Sequence, residues 1–424
     1  MLTLGNKNEP LLDDFLFEDS RGITLDLNRP QRMEVSLPMD MPWEGIASTY
    51  QTVIQHPVTG KVYLYYRGAP LFDCSKQYTC LALSDDGIHF TRAETGDRNI
   101  VLQDSPSCHN FAPFYDTNPD CRENERFKAL GLGPNETLLA YVSPDGISWK
   151  LMQDEPVITD GLFDSLNTVF FDNIKGVYRC YSRYWTEEGY NGLRAIQSCT
   201  SLDFINWSTQ VPNSYSGCEP TMHFYTNATR PIPGAEHMYV SIPMRFNPDR
   251  KKIDEHPDAG VSDCVLLSSR DGHDWLMRDA RPWIYPGLDR RQWTQRNFIV
   301  SAGIVDKNDS FSVYISDHYC WDDCSMVRYA VPRMRLGYAY STDGYFITKP
   351  FCLEGNRLTF NYNTSALGSL FIDMLNLDGS PIDGMSFELF GNELDAPIDL
   401  SSLTGRSLRM RITLRDAYLY AIGY

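Results

Sequence analysis

Apolar residues along this chain fall into short β-branched and aromatic runs cut by Gly, Pro, Asn and Asp, which is the signature of an antiparallel meander. The first stretch reads ASTYQTVIQ, a turn at HPVTGK, then VYLYYRG, YTCLALS, an Asp-Gly turn and IHFTR. A later one repeats the order as NTVFFD, a turn at NIKG, VYRCYSR, LRAIQSCTS and INWST. No long helix is predicted anywhere.

The unit announces itself by one recurring phrase: LSDDGIHFTR (83–92), VSPDGISWKL (142–151), TSLDFINWST (200–209), SSRDGHDWLM (268–277) and YSTDGYFITK (340–349). The spacing is roughly 60 to 70 residues, enough for four strands with generous loops. Four-stranded meanders repeated five times close radially, because that arrangement leaves only short, protected sheet edges. The expectation is therefore an all-β chain with a five-bladed β-propeller over residues 41–350. In it, each phrase is the hairpin between the third and outermost strands: Gly supplies positive φ, and Ser and Asp bond the local backbone. After residue 350 the repeat stops, and LEGNRLTFNYNTSALGSLFIDML to the end predicts a separate β-sandwich over 351–424. Residues 1–40 are expected to add a strand or two tying the sandwich to the propeller.

Composition narrows the function. The chain has 424 residues, 42% hydrophobic and 13% aromatic, ample for a large core and an appendage. Its formal charge of −17 argues against nucleic-acid partners, since a phosphate-tracking surface must be basic. No run is long and apolar enough for a membrane span. The opening MLTLGNKNEPLLDDFLFEDS lacks a signal-peptide pattern, and the eleven cysteines read as reduced core residues. Both features point to a cytoplasmic protein, or a periplasmic or secreted one if a signal has been removed. Self-association is left open.

In such a blade the first strand starts at one mouth of the central channel and the second returns to it. Residues just before each first strand, and at the end of each second strand, should therefore face one pocket. The first set comprises Glu44, His109, Asn110, Asp164, Glu219, Tyr225, Asn227, Arg296 and Asn297; the second comprises Arg67, Arg183, Arg245, Asp317 and His318. Grouped carboxylates are what glycosidic cleavage needs: one protonated to serve the leaving oxygen, another to activate water or attack the anomeric carbon. Trp43, Tyr50, Trp185, Tyr225, Trp293 and Tyr319 lie near the right strand ends to act as sugar platforms. The competing structural role for the acids is to pair with the arginines and close the propeller.

With these features the chain resembles the five-bladed furanosidase-like glycoside hydrolases, families 43 and 32, and its tail resembles the family-32 sandwich. The phrases PWEG, YYRG, HNFAPF, FDS-N, YTN, MRF and NYNTSALGS are most similar to a group of bacterial family-32-like proteins. Carried over, the family-43 pattern implies Glu44 as general base, Asp164 as the acid-orienting residue and Glu219 as proton donor, with Asp263 and Asp317 as substitutes for Glu219. Two departures stand out: those families place Asp where this chain has Glu44, and the WMNDPNG and RDP motifs of family 32 are absent. The longer Glu changes the carboxylate separation that decides stereochemistry, and inversion is expected.

HYCWDDC (318–324) lacks a second half with tetrahedral spacing, so no metal site is assigned and no cofactor is needed beyond an optional structural cation such as calcium. DRRQW (289–293) and RPQR are short basic clusters suited to an anionic ligand or nearby carboxylates. The five N-x-S/T sequons (Asn135, Asn206, Asn227, Asn308, Asn363) read as accidental, and neither a Gly-rich phosphate loop nor a G-x-S-x-G elbow occurs. The leading expectation is an exo-acting glycoside hydrolase acting on a terminal furanose or anionic sugar. Its alternatives are a non-catalytic carbohydrate-binding propeller and a phosphorylase of the related family-130 kind, in which arginines hold phosphate.

Overall fold

The computed structural model describes residues 2–96 and 98–424 and is all-β. It divides into two compact units, Pro30–Ala330 and a second made of Met1–Arg29 with Val331–Tyr424.

The first unit is the five-bladed propeller. Blade one runs Thr49–Gln55, Val62–Gly68 and Tyr78–Ser84, with Thr91–Arg92 and Ile100–Leu102 both on its third strand. Blade two is Ala112–Tyr115, Phe127–Leu132, Leu138–Ser143 and Lys150–Leu151; blade three is Thr168–Asp172, Val177–Glu187, Asn191–Ser201 and Val211–Pro212. Blade four is split. Arg230–Ile232, Ala235–Ser241, Leu267–Ser269 and Asp274–Met277 form one sheet, with Ser214–Gly217 added parallel to the last, and His223–Phe224, Met244–Asn247 and Val261–Cys264 form a second, three-stranded sheet. Inner strands of blades one and five meet through Thr52 and Ala302, which closes the ring. Second strands such as VYLYYRG are buried almost without alternation, because each is covered on both faces, by the neighbouring blades.

The recurring phrase behaves as expected in four blades. In each, a Ser hydroxyl (Ser84, Ser143, Ser201, Ser269) accepts the amide three residues on at 2.9 Å and donates to the Asp two residues on. The Asp carboxylate then caps the next two amides. The left-handed position holds Gly87, Gly146 and Gly272, and in blade three Phe204 at φ 69°. The turn also joins blades. Buried Tyr65, Tyr181 and Tyr314, on second strands, donate to the carbonyls of Gly146, Gly272 and Gly87 in the adjoining blade at 2.7, 2.7 and 2.5 Å. Tyr181→Phe is expected to cost about 1–2 kcal/mol by orphaning a buried carbonyl, read as a lower urea midpoint with an unchanged slope.

The fifth phrase lies outside the propeller. YSTDGYFITK lies in the second unit, where Gly337–Ser341 and Gly344–Thr348 both pair with the long C-terminal strand. Blade five (Val305–Lys307, Ser310–Asp317, Ser325–Pro332) takes its outermost strand from Gln31–Pro38, in register Ser325 to Pro38 and Ala330 to Gln31. The propeller therefore spans Pro30–Ala330 rather than 41–350, since a strand belongs where its hydrogen bonds go.

In the second unit one bonded network of eleven strands surrounds a single apolar core. Arg357–Leu375 and Ser407–Gly423 are its longest members. Alternation places Leu358, Phe360, Leu370, Ile372 and Met374 inward against Leu408, Met410, Ile412 and Leu414, all fully buried. Residues 2–27 add short strands to this network.

Candidate active site

Strand order places one cluster at the mouth where first strands begin and second strands end. In blade one, Thr49 pairs with Arg67, so Tyr50 and Arg67 share that end. Asp164 precedes the first strand of blade three, Arg183 lies on its second strand, and Arg194 lies on its third, opposite Trp185. Tyr225 comes from blade four; Arg296 and Tyr319 come from blade five.

The contacts are dense and cationic. Arg67 stacks on Tyr50 (4.8 Å to the ring centre), Arg183 and Arg194 on Tyr225 (5.0 and 5.2 Å), and Arg296 on Tyr319 (5.2 Å). Arg67 Nη2 donates to the Ala47 carbonyl at 2.9 Å and to Tyr319 Oη at 3.4 Å; Arg296 Nη1 reaches the same hydroxyl at 3.4 Å. Two carboxylates serve these four guanidiniums. Asp164, its side chain 43% exposed, pairs with buried Arg183, while Asp258 pairs with Arg296 and accepts from Gln295. Arg67 Nε and Arg183 Nε and Nη1 are buried without a hydrogen-bond partner. Burial would raise the Tyr225 phenol, but Arg296, Arg183 and Arg194 outweigh it and hold it below the ordinary tyrosine value. Burial pushes the Tyr50 phenol well above it.

His109 packs edge-on against Tyr50. Its Nε2 is 3.0 Å from the Asp164 carbonyl oxygen, and its Nδ1 lies 2.8 Å from Gln77 Oε1 and 3.3 Å from Arg67 Nη1. Burial, reinforced by the Arg67 and Arg183 guanidiniums, pushes the imidazole down to about 4 from its ordinary 6.5. The unfolded chain thus takes up a proton that the folded chain refuses, and stability falls as pH drops from about 6.5 to about 4, by on the order of 3 kcal/mol. Urea titrations across that window should show His109→Gln losing this share of the slope.

Of the expected residues, the structure brings together Arg67, His109, Asp164, Arg183, Tyr225 and Arg296. The others are placed elsewhere, each for a physical reason. Glu44 is fully buried: Arg92 Nε and Nη2 hold its two oxygens at 2.9 and 2.7 Å, and Tyr66 donates to it at 2.5 Å, which leaves no face for substrate or water. Asn110, Asn227 and Asn297 are buried amides that serve backbone. Asn110 donates to the carbonyls of Phe163 and Ser165 in blade three, Asn227 bonds Leu166, Tyr181 and Thr168, and Asn297 holds Thr294 and the Tyr319 amide. Glu219 is exposed, beyond Ser214–Gly217, and makes no hydrogen bond or ion pair with described residues. Arg245 and Asp263 grip each other through two 2.7 Å bonds at a separate groove of about 500 Å³ lined also by Tyr285 and Trp293. Asp317 is buried against Arg32 and Gln292, and His318 lies between Asp323 (2.9 Å) and Asp289 (3.0 Å). Among the described residues no three His, Cys, Asp or Glu are grouped to hold a metal ion.

Arg194 and Asp258 were missed. A third strand starts at the same mouth where the second ends, so the rule that found Arg183 extends to Arg194. Asp258 sits in a long loop that carries no periodic signal.

No family model and no curated protein matches the chain. Solved structures do. An N-acetylgalactosamine deacetylase from F. plautii in complex with blood group B trisaccharide superposes with a TM-score of 0.50 at 16% identity, covering 74% of this chain and 96% of that one. The β-1,2-mannobiose phosphorylase from Listeria innocua gives 0.50 at 14% identity, covering 74% and 98%. A protein described as a glycoside hydrolase gives 0.50 at 11%, covering 72% and 92%. Likeness at this identity shows the propeller fold.

Proposed function

We propose that the chain is a carbohydrate-active enzyme whose chemistry runs at this arginine-lined mouth, and that it is an exo-acting glycoside phosphorylase. The observation that carries the reading is four guanidiniums against two carboxylates, with buried arginine donors left unpartnered. Inverting hydrolysis needs two carboxylates flanking the bond, one of them free to activate water, and Asp258 is held by Arg296 and Gln295. Phosphate needs no such base: it arrives as a nucleophilic anion, and fixed guanidiniums match its oxygens. With phosphate taking its place on the Arg183 guanidinium, Asp164 would take up a solvent proton and pass it to the glycosidic oxygen. A phosphate oxygen would then attack the anomeric carbon as that bond breaks, giving a sugar 1-phosphate and a shortened glycan. Loss of Glu44 from the mouth is what moves this reading ahead of the water-activating hydrolase implied by the family-43 pattern.

The test is a panel of disaccharides of defined linkage, incubated with and without inorganic phosphate. Phosphate-dependent release of a sugar 1-phosphate is expected; release of free sugar at the same rate without phosphate would overturn it. A second reading, an exo-hydrolase of uronate-bearing or sulfated glycans, draws on the same arginines and predicts phosphate-independent cleavage of acidic substrates only.

A further inference from the structure

Blade four carries more sheet than a four-stranded meander requires. Its second, three-stranded sheet has Met244–Asn247 at the centre, and along that strand the side chains alternate between two faces. Phe246 takes the face toward the arginine-lined mouth: its ring meets Tyr225 edge-on at 5.6 Å and carries the Arg194 guanidinium at 5.6 Å. Arg245 and Asn247 take the other face, with Asp263 and Val261 directly across from them on the neighbouring strand. These four residues line the groove of about 500 Å³. Tyr285 and Trp293 line it too, together with Met222, Ser262, two prolines (Pro282 and Pro286) and the exposed Arg250.

Several of these groups are fixed in place. Arg245 commits Nε and Nη2 to the two oxygens of Asp263, each at 2.7 Å, and Nη1 to the Ala280 carbonyl at 2.6 Å. The Trp293 indole donates to the Gly287 carbonyl at 2.9 Å, which sets its ring. Tyr285 keeps 52% of its surface exposed, so a second ring stays open beside the ion pair. Asp263, its side chain 24% exposed, receives one Arg245 bond on each oxygen and retains lone pairs for a further donor. Asn247 accepts the Asp249 amide on Oδ1 at 3.1 Å, which leaves its amide nitrogen to donate.

Such a surface suits a ligand whose hydroxyls both donate and accept and whose C–H faces can lie on aromatic rings. Sugars combine the two properties. The Arg245 charge is already matched by Asp263, so the pair offers polar contacts without calling for a charged ligand. We infer that this groove is an accessory binding site for a neutral oligosaccharide, separate from the mouth and on the opposite face of the sheet that carries Phe246. The inference rests on the carbohydrate reading above and adds a second place at which the protein holds a glycan.

The test probes an array of neutral, uronate-bearing and sulfated oligosaccharides with the full chain, as wild type, Tyr285→Ala and Tyr285→Phe. Wild type is expected to bind neutral oligosaccharides, Tyr285→Ala to bind them about five- to tenfold more weakly, and Tyr285→Phe, which keeps the ring, to match wild type. Disaccharide turnover at the mouth should be the same in all three. Binding of no neutral glycan, or equal binding by wild type and Tyr285→Ala, would overturn the site; binding confined to acidic glycans would assign the groove to Arg250 and overturn the neutral ligand. Should Tyr285→Ala fail to fold, Asp263→Asn gives the same readout, and unchanged binding in it overturns the proposal. A chain that binds neutral glycans through Tyr285 yet turns over no disaccharide would keep the groove and remove the phosphorylase, so the two readings fail separately.

Discussion

Asp164→Asn is expected to lower kcat on a natural glycan by about 10²–10⁴-fold, the range a positioned general acid contributes. The variant should fold. The side chain is 43% exposed, the amide can still accept from Arg183, and His109 bonds the Asp164 carbonyl rather than its side chain. The discriminating measurement is a second substrate with a dinitrophenolate leaving group, which departs without a proton. On it the loss should shrink to about tenfold, since only the proton donor's share of the barrier has been removed. An equal loss on both substrates would mean that Asp164 acts only by setting Arg183.

Glu44→Gln should behave in the opposite way. Removing one member of a buried, doubly bonded pair leaves the partner's charge exposed to a low-dielectric site, at a cost of about 3–5 kcal/mol. Arg92 keeps a second carboxylate, Asp40 at 2.6 Å, so the lower end is expected, with a Tm fall of roughly 6 °C or more. Turnover per folded molecule at lower temperature should stay within about threefold of wild type, because Glu44 has both oxygens committed inside blade one. A variant that keeps its Tm and loses turnover would restore Glu44 to the chemistry.

The fold was legible in the chain because blade strands and their turns are local: strands, hairpins and the Ser-x-Asp turn form within a few residues and repeat. The count of five was reached partly by coincidence. Four phrases mark blades, the fifth marks a hairpin of the other unit, and the fifth blade borrows a strand from residues 31–38 whose partners lie nearly three hundred residues later. Local pattern carries no record of such pairing. At the site, the strand-end rule located Arg67, Arg183 and Asp164 because it follows from meander geometry. It could not separate the half-exposed Asp164 from the sealed Glu44, since both open a blade, and Arg92 and Tyr66, which seal Glu44, come from elsewhere in blade one. The buried asparagines were misread for a related reason. An amide that bridges two inner strands occupies the same strand-end position as one that would greet a ligand, and only the backbone carbonyls opposite it decide between them.

The borrowed strand also sets the order of events as the chain is made. Gln31–Pro38 waits for Ser325–Ala330, and Glu9–Pro10 waits for Ala421–Ile422, some four hundred residues later. The propeller ring can close on residues up to Ala330, whereas Thr24–Leu27 waits for Gly337–Tyr340 and Phe17–Arg21 for Tyr345–Thr348, beyond it. Contacts of such high sequence separation form late and slowly. The opening strands therefore keep unpaired edges for as long as the propeller takes to be made, and their hydrogen bonds form only after its own.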